Sequence, residues 1–196
     1  EIVANFLLNF AFVINGTVGF YLLLRFLFPV FGADEFILSA AVWFGCILVF
    51  YSNYKMIKST CLKVFTAHFL LANLGFILIT FFVESSFARL LYISSYILTG
   101  LTIFLLANFL ENHYKNCHFN SLKNDCDTRK IVIISVIFFI ILNFPLTIMF
   151  WANWYLMLAA VGSVGGLLVI LPIITTNLAA TYIATSFILT NSKARL

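Results

Sequence analysis

Long apolar segments, separated by short polar breaks, leave this chain few folds to adopt. Apolar runs at roughly 5–31, 36–57, 62–83, 87–110, 131–157 and 163–190 each have the length that about 30 Å of hydrocarbon demands. A soluble core is not an alternative. The 196 residues are 63% hydrophobic and 9% charged, whereas soluble domains carry roughly 25% charged residues. A bilayer accepts an apolar exterior as long as backbone polar groups are satisfied internally, so helices are the expected spanning element. The expectation is an all-α polytopic transmembrane helix bundle, residues 1–196 forming a single membrane domain of about six spans.

Two prolines mark irregular points. Pro145 lies in the middle of "ILNFPLTIMFWANWYLM" and predicts that the fifth span is broken there, because proline lacks a backbone donor and clashes with the preceding turn. Such a break is either a packing kink or part of an ion path, since irregular backbone within a membrane must be buried in protein or face water. Pro172 follows "VGSVGGLLVIL" and predicts a bend in the sixth span.

Basic residues sort by side. With six spans, one side holds Lys55, Lys58, Lys63, Lys115, Lys123, Arg129, Lys130, Lys193 and Arg195, and the other only Arg25 and Arg89. The positive-inside rule places both ends on the inner face. Topology thus accounts for the net charge of +4, and no nucleic-acid partner is expected. The connector 111–130, "ENHYKNCHFNSLKNDCDTRK", is a long polar inner-side loop. Its His113, Cys117, His118 and Cys126 follow no standard zinc spacing, and a solvated connector is the better reading. A disulfide between Cys117 and Cys126 is not expected on a reducing inner face. Cys46, within a span, reads as a small packed side chain. The "NGT" at 15–17 matches a glycosylation sequon but falls mid-span.

Phosphate loops, paired metal-binding histidines and nucleophile elbows are all missing from the sequence, so the chain alone is expected to catalyse nothing and to bind no cofactor. Phospholipids are the bound molecules that its surface fits. The chain starts at Glu1, beside an apolar run and without a secretory signal, and reads as a processed chain or a piece of something larger.

Three collinear stretches carry a family resemblance. The first, "LKVFTAHFLLANLGFILITF" at 62–81, resembles a span that begins with an inner-side lysine and ends His-(Met/Leu)-Gly-Tyr. Lys63 falls on that lysine, and Leu74, Gly75 and Phe76 fall on the closing triplet. Asn53 and Thr60 match the polar run upstream. The second, "LYISSYILTGLTIFLLANFLE" at 91–111, resembles the Tyr-(apolar)-x-x-Tyr span that follows. The third, at 141–157, resembles a broken helix, with Pro145, Phe150 and Tyr155 matching. Together they resemble the antiporter-like subunits of the proton-pumping NADH–ubiquinone oxidoreductase, respiratory complex I, and best the C-terminal half of its subunit 2, the chain N type.

The resemblance implies a half-subunit that contributes to or scaffolds proton translocation, with NADH:ubiquinone reductase chemistry located elsewhere in the complex. The implied partners are other membrane-arm subunits, a separate chain carrying the N-terminal half, and membrane lipids. The implied location is the mitochondrial inner membrane, with both ends in the matrix; the abundance of Phe, at 24 residues, fits an AT-rich organellar genome. Two rival readings stay open: a purely structural half-subunit, and a cation/proton antiporter subunit of related fold.

Departures from the family pattern bear on mechanism. The family lysine in the first span falls on Gly16, the intramembrane histidine on Asn73, and the broken-helix lysine on Asn153. A buried lysine can exchange a proton, whereas asparagine only donates and accepts hydrogen bonds. The candidate proton path is therefore Lys63, His68, Asn73 and Asn153, with His68 the titratable group deepest in its span. Plain alternatives are a snorkelling Lys63 and a hydrogen-bonded structural His68.

Overall fold

The computed structural model describes residues 18, 19, 22, 35–80, 83, 85–114, 134, 136, 137, 140, 145–161 and 166–193. Its elements are α1 (Glu35–Ile57), α2 (Leu62–Ile79), α3 (Ser86–Tyr114), α4 (Ile148–Val161) and α5 (Gly166–Lys193). Three contain stretches long and apolar enough to cross a membrane, Ser39–Ile57, Ser86–Leu106 and Gly166–Thr185, while Val64–Ile79 and Ile148–Val161 are shorter apolar helices. Apart from residues 18, 19 and 22, the first expected span lies outside the described residues, as do residues 115–130 of the polar connector and Gly16.

These helices are apolar on both faces, the signature of a membrane segment. Trp43, Phe44 and Ile47 on α1, Leu158 on α4, and Leu171 and Leu178 on α5 are all more than half exposed. In water such a surface would aggregate; in lipid it is an ordinary exterior. The opposite stripes form the core. On α4, Met149, Ala152, Asn153, Leu156 and Ala160 are buried, at spacings of three and four, which places them on one side of a helix.

The five helices close a ring in chain order, α1 against α2, α2 against α3, onward to α5 against α1, with α2 also reaching α5 across the ring. At the α1–α2 crossing the two backbones come into close contact. A Cβ on Gly45 would sit 2.7 Å from the Gly75 carbonyl oxygen, and one on Gly75 would sit 2.8 Å from that of Gly45. Small residues allow backbones to touch in this way where no hydrophobic force drives helices together.

The break near Pro145 is present. Pro145 and Leu146 form a turn, Thr147 a bend, and α4 starts at Ile148. The Thr147 hydroxyl accepts from the Phe150 amide at 3.4 Å, which meets one orphan donor of the new helix. Ser95 meets Met149 at 3.4 Å and Phe87 meets Tyr155 edge-on at 5.6 Å, so α3 and α4 run in opposite directions. Ser95 lies mid-way along the apolar stretch Ser86–Leu106, so the start of α4 packs against the middle of that stretch. By contrast α5 stays helical through Pro172. Cys61, just before α2, is disulfide-bonded.

Candidate functional site: a neutral polar seam

Thr66, Phe69, Asn73, Phe76 and Thr80 recur at spacings of three and four, and all are buried. They form the inward stripe of α2 and its C-terminal cap. Asn73 is held from two sides. Its Nδ2 donates to the Phe69 carbonyl at 2.8 Å, a turn back along the same helix. Its Oδ1 accepts from the Tyr92 hydroxyl of α3 at 2.8 Å. Tyr92 is fully buried, with its ring tilted against Phe76 at a centroid distance of 6.1 Å.

On α3 the same face continues with Ser95, Tyr96 and Thr99. The Thr99 hydroxyl donates to the Ser95 carbonyl at 2.7 Å, and the Ser95 hydroxyl lies 2.7 Å from the Tyr92 carbonyl. Returning hydroxyls to their own helix in this way removes unpaired donors from the core.

Asn73 of α2, Asn153 of α4 and Thr176 of α5 line one crevice together with Phe69, Phe76 and Ile173, and it has no room for a water-sized sphere. Among the described residues the buried Asn153 Oδ1 has no hydrogen-bond partner, and neither has the Oδ1 of Asn53. The Asn53 amide nitrogen is well used, donating to Thr175 Oγ1 at 3.2 Å and Thr176 Oγ1 at 3.1 Å. A buried amide oxygen without a donor costs about 1–3 kcal/mol, so the crevice at Asn153 is chemically incomplete.

Every buried polar residue among the described ones is Ser, Thr or Asn. The seam can exchange hydrogen bonds, but among the described residues it contains no group that changes charge near neutral pH. Among the described residues no group of three His, Cys, Asp or Glu side chains could hold a metal ion.

The expected site residues fare differently. Asn73 and Asn153, 80 positions apart in sequence, line the same crevice. His68 lies five residues from Asn73, about 140° round the helix, and is half-buried away from the seam stripe. Lys63 is in the first turn of α2, ten residues or about 15 Å along the axis from Asn73. Gly16 is outside the described residues. Sequence reasoning missed Tyr92 and Thr176. Tyr92 had a visible signal, since Tyr92, Ser95, Tyr96 and Thr99 repeat at helical spacing. For Thr176, one of several hydroxyls on an apolar helix, no local signal exists.

A ring of apolar helices closed on a polar seam defines a polytopic membrane domain. The family described as NADH:quinone oxidoreductase/Mrp antiporter, TM, matches residues 7–179, and the chain belongs to it. No curated protein and no solved structure matches the chain.

Proposed function

We propose that this chain is the second half of subunit 2 in the membrane arm of a proton-pumping NADH:ubiquinone oxidoreductase in the mitochondrial inner membrane, its first half supplied by a separate chain. The observation that carries this reading is the crevice. The two positions that align with an intramembrane histidine and a broken-helix lysine, Asn73 and Asn153, come together at one spot inside the bundle. The family match over residues 7–179 supports the placement in such a membrane arm.

Within that role the half is a scaffold rather than a complete lysine relay. A relay through hydrocarbon needs groups that are charged and neutral within a few pH units and are joined by short water wires. Asn73 and Asn153 have no such states, and the crevice between them admits no water-sized sphere. His68 stands on another face of α2.

Purification in mild detergent tests the assignment. The chain should co-migrate with a multi-span partner and with NADH-oxidising activity. Recovery with a cation-exchanging assembly that lacks this activity would favour the antiporter reading instead. His68→Phe should leave the proton-to-electron ratio of the whole enzyme unchanged; a fall in that ratio with assembly intact would overturn the scaffold role. Orientation has its own test, because two features oppose each other. Charge sorting puts the Lys55–Lys58 end on the inner, reducing side, whereas the disulfide at adjacent Cys61 belongs to an oxidising compartment. Thiol labelling from each side of sealed membranes, after reduction of the Cys61 disulfide, decides the side: labelling by an impermeant reagent from the outer face would overturn the inner orientation.

A further inference from the structure

We propose that Cys46 and Asn53 of α1 form a two-point clasp across a proline hinge in α5 and thereby hold Thr176 over the crevice beside Asn153. This does not depend on which complex the chain serves. Pro172 lies inside α5 and has no backbone N–H, so the Leu168 carbonyl one turn earlier loses its normal helical donor. The Cys46 thiol donates to that carbonyl at 3.6 Å. One polar contact therefore replaces the bond that the proline removed, as a neighbouring helix must when proline sits in a membrane span.

The second point lies one register step further on. Asn53 is seven residues after Cys46 and so on the same face of α1, and Thr175 is seven residues after Leu168 on α5. The matching offsets show that α1 and α5 run in the same direction. Both hydrogens of the Asn53 amide are engaged, with Thr175 Oγ1 and Thr176 Oγ1 at 3.2 and 3.1 Å. Each threonine hydroxyl in turn donates to the Pro172 carbonyl at 2.9 Å. The clasp thus grips α5 on both sides of Pro172, through the carbonyl freed by the proline and through the hydroxyls bonded to the proline's own carbonyl.

The consequence concerns the crevice. Thr176 lines it together with Asn153, whose Oδ1 has no partner among the described residues. With the clasp closed, α5 stays pressed to α1 and the crevice excludes water. Opening the clasp lets α5 pivot at Pro172, where the missing N–H interrupts its hydrogen-bond ladder, and gives water access to the Asn153 oxygen.

A double-mutant cycle on the assembled protein tests the first half of the proposal. Cys46→Ala should lower the melting midpoint by about 2–4 °C. In a Pro172→Ala background the same change should cost clearly less, because the restored N–H at position 172 meets the Leu168 carbonyl. Cys46→Ser, which keeps a donor, should retain more stability than Cys46→Ala. Equal losses from Cys46→Ala in both backgrounds would reduce Cys46 to packing and overturn the clasp. For the second half, Asn53→Leu leaves both threonine hydroxyls bonded to Pro172. It should speed the reaction of an Asn153→Cys variant with a small membrane-permeant thiosulfonate by about fivefold or more, read by mass spectrometry of the peptide that carries residue 153. An unchanged rate, with Asn53→Leu assembled normally, would show that the clasp does not govern the crevice.

Discussion

At the crossing of α1 and α2, two glycines bring backbone against backbone, and the surrounding Val49, Leu78 and Ile79 are apolar and buried. At the crevice between α2, α4 and α5, an amide oxygen is enclosed with nothing to bond to. The first region is determined by shape. It has one arrangement, because any added atom meets the opposite main chain. The second is determined by chemistry that is left incomplete. Small rearrangements there can recover a hydrogen bond, so water, motion or a partner can act at little cost. A bundle that joins a rigid crossing to an unfinished crevice has a natural division between frame and moving part.

The largest effect should come from breaking the frame. Gly75→Val places side-chain atoms where even a Cβ would be 2.8 Å from the Gly45 carbonyl oxygen. Because the obstacle is backbone, the cost should be about 3 kcal/mol or more, seen as loss of the assembled protein from membranes. Normal assembly would mean that α1 and α2 can separate, and the contrast would collapse.

Next is the completed part of the seam. Asn73→Leu removes the acceptor of the fully buried Tyr92 hydroxyl, for an expected cost of about 1–3 kcal/mol. Adding Tyr92→Phe should recover part of that loss, because both polar partners are then gone. Thermal unfolding of the two single variants and the double variant measures the coupling.

Asn153→Leu sharpens the contrast by its sign, with an expected gain of up to about 1–3 kcal/mol. The oxygen it removes has no partner, so the cost of burying it goes too. A loss as large as that of Asn73→Leu would mean that water or another chain completes the site. The smallest effects belong to the basic end of α1, where Lys58 lies 4.3 Å from the Tyr54 ring centroid and Lys55 5.7 Å from that of Tyr51. Lys58→Gln should change stability by less than about 1 kcal/mol, and its melting curve should overlay that of the parent protein.

Much of the fold was legible because it is written in local quantities. Hydropathy runs located α1, α3 and α5, and Pro145 marked the break before Ile148 for a reason confined to one residue and its preceding turn. At Pro172 the same local logic applies inside a continuous helix, α5. The thiol that serves the vacated carbonyl is 122 positions away, and no window of sequence contains both. The site was half legible. Family alignment singled out Asn73 and Asn153, but His68, the chemically more promising residue, lies on a different face of its helix.

The sequence by itself determined that this chain crosses a membrane as helices, where most of those helices lie and where one breaks, because lipid imposes length and internal hydrogen bonding on each segment separately. Tertiary structure alone decided that Gly45 faces Gly75, that Asn53 reaches Thr175 and Thr176, and that Asn153 is left with an unmet oxygen. Those outcomes depend on the relative rotation and depth of helices that are all apolar to a similar degree. Rotation and depth are set by close packing and by a few polar contacts, which hydropathy does not encode.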